Sequence, residues 1–143
     1  MAPLDLARYL SLFVAEAGDH LGAFSRELVA LEQAARQGEP GAARQAIDSL
    51  FRHAHSVKGM SASMQLDAIT ALAHKAEDLV DVFRQGSGRI DPGAVDLLLA
   101  TADALGALVE AAARGERREG DPALVERLAQ AAQAARSGRA VAP

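Results

Sequence analysis

The sequence predicts an all-α fold: an up-down antiparallel helical bundle with a four-helix core and a fifth C-terminal helix. Half of the 143 residues are hydrophobic but only 3% are aromatic, so Leu, Val, Ile and many Ala must build the core. Ala is the strongest helix former, and the scarcity of β-branched residues argues against sheets. Apolar residues also recur at steps of three and four, the period of a helix with one buried face. Finally, glycine and proline gather at a few short breaks, and short connections favour antiparallel neighbours. The length suits one domain with a real core.

The first helix carries Leu6, Leu10, Phe13, Ala17, Leu21, Phe24, Leu28 and Leu31, and ends at the break formed by Gly38, Pro40 and Gly41. The second offers Ile47, Leu50, Ala54 and Val57, and stops near Ser61 to Gln65, where short polar residues interrupt the apolar rhythm. The third runs through Leu66, Ile69, Leu72, Ala76, Leu79 or Val80, and Phe83, up to Gly86, Gly88, Asp91 and Pro92. The fourth presents Val95, Leu98, Ala102, Leu105 and Val109 before Gly115, Gly120, Asp121 and Pro122. A weaker fifth helix spans Pro122 to Ser137. At both Asp-Pro pairs, Asp can cap a helix while Pro occupies its first turn without losing a hydrogen bond. The glycines just upstream suit the ends of the preceding helices. Residues 1–136 are expected to form the domain and 137–143 the start of a linker; no internal repeat is visible.

Several function classes are excluded early. The formal net charge is −4 with signs mixed along the chain, and no basic stripe invites nucleic acid. There is no cysteine, which removes disulfide and thiolate chemistry and fits a reducing compartment. The start, Met1 to Asp5, lacks the basic and apolar runs of a signal peptide. The most apolar stretch, Leu97 to Ala113, is broken by Asp103 and Glu110, so no membrane insertion is expected. The expected location is the cytoplasm.

Chemistry is concentrated on the second and third helices. Phe51, His55, Lys58 and Gly59 lie three or four residues apart and share one face, rotated away from the stripe of Ala54 and Val57. His55 is therefore expected at the edge of the core, with its ring reachable from water. Lys58 follows one turn later, where its ammonium can approach whatever His55 carries, and Gly59 leaves the neighbouring surface bare. On the third helix Thr70, His74, Glu77 and Asp81 form a polar stripe, which antiparallel packing can bring against His55. A carboxylate bonded to one ring nitrogen fixes the tautomer and raises the basicity of the other. The free nitrogen can then attack phosphorus, the carboxylate stabilising the imidazolium charge while Lys58 neutralises phosphoryl oxygens.

The run Arg52-His53-Ala54-His55-Ser56-Val57-Lys58-Gly59 resembles the A-H-x-[IVL]-K-G signature of histidine-phosphotransfer domains, most of all the N-terminal domain of CheA-type chemotaxis histidine kinases. His74 and Glu77 match in type and order the second histidine and following glutamate of that kinase subtype, and Phe13 to Ala17 is similar to its first helix. The resemblance extends over residues 4–135 and implies that His55 is phosphorylated, with Lys58, Gly59, His74 and Glu77 completing the site. It departs at Gly59-Met60-Ser61-Ala62-Ser63-Met64-Gln65, where the family has more small residues; Met60 and Met64 bear on which partner is accepted. The implied partners are a separate ATP-binding kinase domain and response-regulator receiver domains. Glycine loops that cradle phosphates, a nucleophile elbow and a protein-kinase signature are missing, so this chain is expected to need no cofactor and to leave ATP to another domain.

Blander readings compete. His74 and Glu77 can form a mere helix-surface pair, and Gly59 can be a simple helix weakness. His53 sits about 200° around the helix from His55 and should point elsewhere, and His20 reads as structural or solvated. His55, His74 and Glu77 can in principle hold zinc, but no HExxH or paired ExxH pattern accompanies them, and no metal is expected. The rival functions are a free-standing phosphorelay protein and a helical interaction module with incidental histidines.

Overall fold

Each break in the sequence becomes a break between helices. In the computed structural model, which describes residues 3–86 and 90–141, the chain forms α1 (Pro3–Arg36), α2 (Pro40–Ser63), α3 (Asp67–Gln85), α4 (Pro92–Ala113) and α5 (Pro122–Arg136). No strand occurs among the described residues. Gly88 in the second break, and Ala142 and Pro143 in the tail, lie outside them, as do Met1 and Ala2.

Local chemistry explains where the helices start. Both Asp-Pro pairs cap as expected: Asp91 Oδ1 accepts from the Ala94 N–H, and Asp121 Oδ1 from the Ala123 N–H, each at 3.0 Å. The ends of α1, α2, α4 and α5 follow one pattern, each with a residue at positive φ just past the helix. At the end of α4, Gly115 adopts φ +79 while the Glu116 N–H returns to the Ala111 carbonyl and the Gly115 N–H to that of Ala112. This double bond pattern satisfies carbonyls that a helix end otherwise orphans. The end of α2 makes the same turn with Leu66 on Ser61 and Gln65 on Ala62. There the left-handed position is filled by Gln65, at φ 57. Arg117 Nη1 donates to the Gln65 carbonyl at 3.1 Å and so ties this turn to the α4–α5 connection.

Side-chain pairs across the helices fix the topology. His20 meets His53 between α1 and α2; His55 meets Glu77, and Ser61 meets Thr70, between α2 and α3. Between α2 and α3 numbers rise on one as they fall on the other, which is antiparallel packing, and the three-residue turn from α1 into α2 with the His20–His53 contact folds that pair back the same way. α1 also packs on α4 and α4 on α3, which closes a four-helix ring, and α5 lies mainly on α3. The core is aliphatic, with Leu28, Leu31, Ile47, Leu50, Leu72, Leu79, Leu97, Leu98 and Leu128 fully buried among many Ala. Leu97 and Ala111 are buried alongside the anticipated α4 stripe, and Leu97 faces Ala131 and Ala134 of α5 and Val141 of the tail.

One core expectation fails. Leu6 is 57% exposed, and Tyr9 and Leu12 are exposed beside it. In this register the start of α1 lies opposite chain beyond the end of α2 at Ser63, so its apolar stripe outruns its cover. At the other end, Val141 is buried and its N–H donates to Asp91 Oδ2 at 3.2 Å.

A left-handed non-glycine residue costs roughly 1–2 kcal/mol. Gln65→Gly should therefore raise, and Gly115→Ala lower, unfolding stability by about 1 kcal/mol. Urea denaturation reads both; shifts of the same sign in the two variants contradict the turn geometry.

Candidate functional site

The site grows out of the orientation of α2. Ala54 and Val57 are locked in the core at 5% and 1% exposure, which turns the intervening face outward. The His55 side chain is consequently 63% exposed, at the edge of the bundle as its spacing predicts. On α3 the apolar residues Ala73, Ala76 and Val80 are buried, and this carries Glu77 down with them until its side chain is only 9% exposed. A carboxylate is rarely buried without partners. Glu77 has two: Oε2 lies 2.5 Å from His55 Nδ1, and Oε1 accepts from Lys58 Nζ at 2.7 Å.

Electrostatics then fixes the proton. Burial pushes the Glu77 carboxyl up, but the hydrogen bonds from Lys58 and His55, together with their charges, outweigh it and hold the group below its ordinary 4.5. Glu77 is thus an ionised acceptor. A nitrogen bonded to an acceptor must donate, so the neutral His55 ring carries its proton on Nδ1 and leaves the Nε2 lone pair free. The structure therefore brings His55, Lys58 and Glu77 together through a direct network.

The other expected residues sit around this network. A Cβ on Gly59 would meet nothing within 4 Å, so no internal packing requires this glycine and the space beside it is open. His74 remains on the surface, 54% exposed, with Nε2 3.6 Å from Asp78 Oδ1. It is bonded to neither His55 nor Lys58; His74, Glu77 and Asp78 do bring ligand-type atoms within 4.8 Å of one another. Both Glu77 oxygens are engaged, which leaves that group poorly suited to a cation. Thr70 of the polar stripe turns inward: its hydroxyl bonds Ser61 Oγ at 2.8 Å, and Ser61 Oγ also donates to the Lys58 carbonyl.

Two arrangements escaped sequence reasoning. The Phe51 ring stacks on the His55 ring, and Arg84 lies over Phe51. The traces in the sequence are that Phe51 is four residues before His55 and Arg84 seven after Glu77, but only the register of α2 on α3 joins them. His53 points away from His55, as its spacing predicts, and its Nδ1 lies 2.9 Å from His20 Nδ1. Burial and the neighbouring His20, with help from Arg52 and Arg26, hold His53 below its ordinary 6.5 against the opposing pull of Glu27.

Over their respective windows both groups bind fewer protons folded than unfolded, so stability rises with pH there and declines as pH falls. The contribution of Glu77 is complete above its ordinary 4.5 and is lost as pH falls through the lowered value; for His53 the loss begins below 6.5. Thermal melting from neutral pH downward should show a steeper decline below pH 4.5 for the wild type than for Glu77→Gln. Parallel curves would remove the assignment of Glu77 as an ionised, network-bound group.

Comparison with known proteins accords with this geometry. The family model of the Hpt domain matches residues 8–138. The chain is 34% identical to the chemotaxis protein CheA of Cereibacter sphaeroides over 96% of this chain and 20% of that protein. It is 30% identical to CheA of Bacillus subtilis over 75% of this chain and 15% of that one. The chain thus spans a fifth or less of the length of these relatives. A solved structure, the phosphorylated P1 domain of CheA3 in complex with CheY6 from R. sphaeroides, superimposes with a TM-score of 0.76 at 28% identity, covering 89% of this chain and 97% of that one. No described helix is long and apolar enough to cross a membrane. A helical bundle matched along nearly its whole length, with the signature histidine exposed at its edge, makes this chain a member of the Hpt domain family.

Proposed function

We propose that this chain is the phosphoacceptor domain of a two-component, chemotaxis-type histidine kinase, with His55 as the residue that carries the phosphoryl group. One observation carries the reading: the buried Glu77 carboxylate holds Nδ1 of an imidazole that is itself 63% exposed. Only Nε2 is then available to react, and it is available to a large partner.

His55 Nε2 attacks the γ-phosphorus of ATP held by a separate kinase domain. The N–P bond forms as the bond from that phosphorus to its bridging oxygen breaks, and ADP leaves. Nδ1 keeps its proton, so the ring becomes cationic, and Glu77 offsets that charge. In the second transfer a carboxylate oxygen of a receiver aspartate attacks the same phosphorus, the N–P bond breaks, and His55 returns to its neutral Nδ1–H form. Lys58 sits one helical turn from His55 and contributes charge toward the phosphoryl oxygens in addition to its bond with Glu77. Gly59 leaves the approach clear, and His74 tunes the field from the rim.

The CheA relatives, and a structural neighbour described as phosphorylated and bound to CheY6, support a kinase domain and response-regulator receivers as the partners. The apolar surface formed by the exposed Leu6, Tyr9 and Leu12 with the half-buried Met60 and Met64 begins beside Gly59 and offers such a partner contact area. Residues 1–136 make the domain and 137–143 begin the linker, with Val141 packed back on the bundle before the chain leaves it, in a protein that works in the cytoplasm and binds its nucleotide elsewhere.

Labelled ATP and a CheA-type kinase domain test the proposal. His55→Gln should abolish acid-labile labelling, and Glu77→Gln should retain the fold while labelling roughly tenfold or more slowly. Full labelling of His55→Gln would sink the assignment. Gly59→Leu should be labelled more slowly although its melting temperature does not fall, since leucine is a better helix former by about 1 kcal/mol. A Gly59→Leu variant labelled like the wild type would show that the open space has no part in partner approach.

A further inference from the structure

We propose that Phe51 and Arg84 are positioning residues for His55: Phe51 fixes the plane of the imidazole, and Arg84 holds Phe51 in place to do so. The inference rests on His55 as the phosphoacceptor. The hydrogen bond from Nδ1 to Glu77 fixes one direction in the ring. A single such bond leaves the imidazole free to rock about the Nδ1···O line, and each rock swings Nε2 sideways. With 63% of the side chain exposed, little protein remains to prevent it.

Phe51 supplies the missing constraint. One turn before His55 on α2, its ring lies at 14° to the imidazole with centroids 6.0 Å apart. This is within the range of offset aromatic stacking, about 4.5–7 Å. The stack restrains the ring face while Glu77 restrains the ring edge. Phe51 is itself only partly buried and needs support. The Arg84 guanidinium provides it, with Cζ 3.8 Å from the Phe51 centroid, a cation–π contact.

Arg84 in turn is anchored. Its Nε donates to Asp81 Oδ1 at 3.0 Å and its Nη2 lies 3.0 Å from the same oxygen, while Gln85 Nε2 donates to Asp81 Oδ2 at 2.8 Å. The row Gln85, Asp81, Arg84, Phe51 and His55 therefore runs from α3 to the reacting ring. Glu77 reaches the same ring from the same helix, two turns earlier. One face of α3 thus sets both the edge and the plane of His55.

Two readouts on the full chain test this. In the first, initial rates of labelling by a CheA-type kinase domain and ATP are measured against chain concentration. Phe51→Leu should lower kcat on the order of tenfold with KM unchanged, because misaligned reacting atoms slow the chemical step rather than docking. Phe51→Tyr, which keeps the ring face, should restore most of it. Arg84→Ala should lower kcat roughly threefold, and the double variant should be no worse than Phe51→Leu alone, since Arg84 acts through Phe51. In the second, the imidazole 15N resonances of unphosphorylated His55 should move toward tautomer-averaged positions in Phe51→Leu and Arg84→Ala. Arg84 is a surface residue, so its variant stays folded if Phe51→Leu does not. Wild-type kcat together with unchanged imidazole resonances in both variants overturns the proposal, and additive losses in the double variant overturn the link through Phe51. A wild-type chain that accepts no phosphoryl group defeats the functional reading instead, and the imidazole resonances still decide the stack.

Discussion

Burial of a charged carboxylate beside the protein surface is the constraint on which this molecule turns. Glu77 loses most of its hydration because α3 must bury Ala73, Ala76 and Val80 around it. Such a group survives only if each oxygen finds a donor. Lys58 and His55 are those donors, and both come from α2. The same pairing that makes the burial tolerable also dictates which nitrogen of the neutral imidazole carries the proton. Structural necessity and the selection of the ring tautomer are here a single interaction.

The bundle exists to hold that interaction in register. A slip of α2 along α3 by one residue would take Lys58 and His55 off Glu77 together. Ser61 and Thr70 oppose such a slip from one turn further along, through a part-buried hydroxyl pair whose Ser61 also reaches the Lys58 carbonyl. Small core residues, Ala54 and Ala76 among them, permit the close approach that side chains as short as these require. On the opposite side of α2, His53 meets His20 of α1. The helix is thus gripped by polar contacts on both flanks while its apolar stripe faces the core.

Much of this was legible in the sequence. Asp91 and Asp121 announced two helix starts, because a side chain capping its own local backbone needs no tertiary information. The outward turn of His55 followed from the spacing of Ala54 and Val57. Partnerships between helices were harder. That Glu77 is the shared acceptor for His55 and Lys58, while His74 turns to Asp78, depends on the rotation of α3, which apolar periodicity leaves uncertain by a residue. The Phe51–Arg84 stack and the His20–His53 pair join residues 33 apart in sequence, and no local pattern encodes either. Gln65 hid a left-handed turn because only glycine advertises that conformation. Leu6 misled in the other direction, since periodicity reports an apolar face but not whether a neighbour is long enough to cover it.

The most direct test is to identify the nitrogen that carries phosphorus. After labelling of the full chain by a CheA-type kinase domain, 15N and 31P NMR of the imidazole would assign the N–P bond. With Nδ1 held by Glu77, the phosphoryl group must appear on Nε2 of His55. Phosphorus on Nδ1 of His55 would contradict the account, because it requires the Glu77 bond to be absent when the reaction occurs, and phosphorus on His74 would contradict it by making another residue the acceptor.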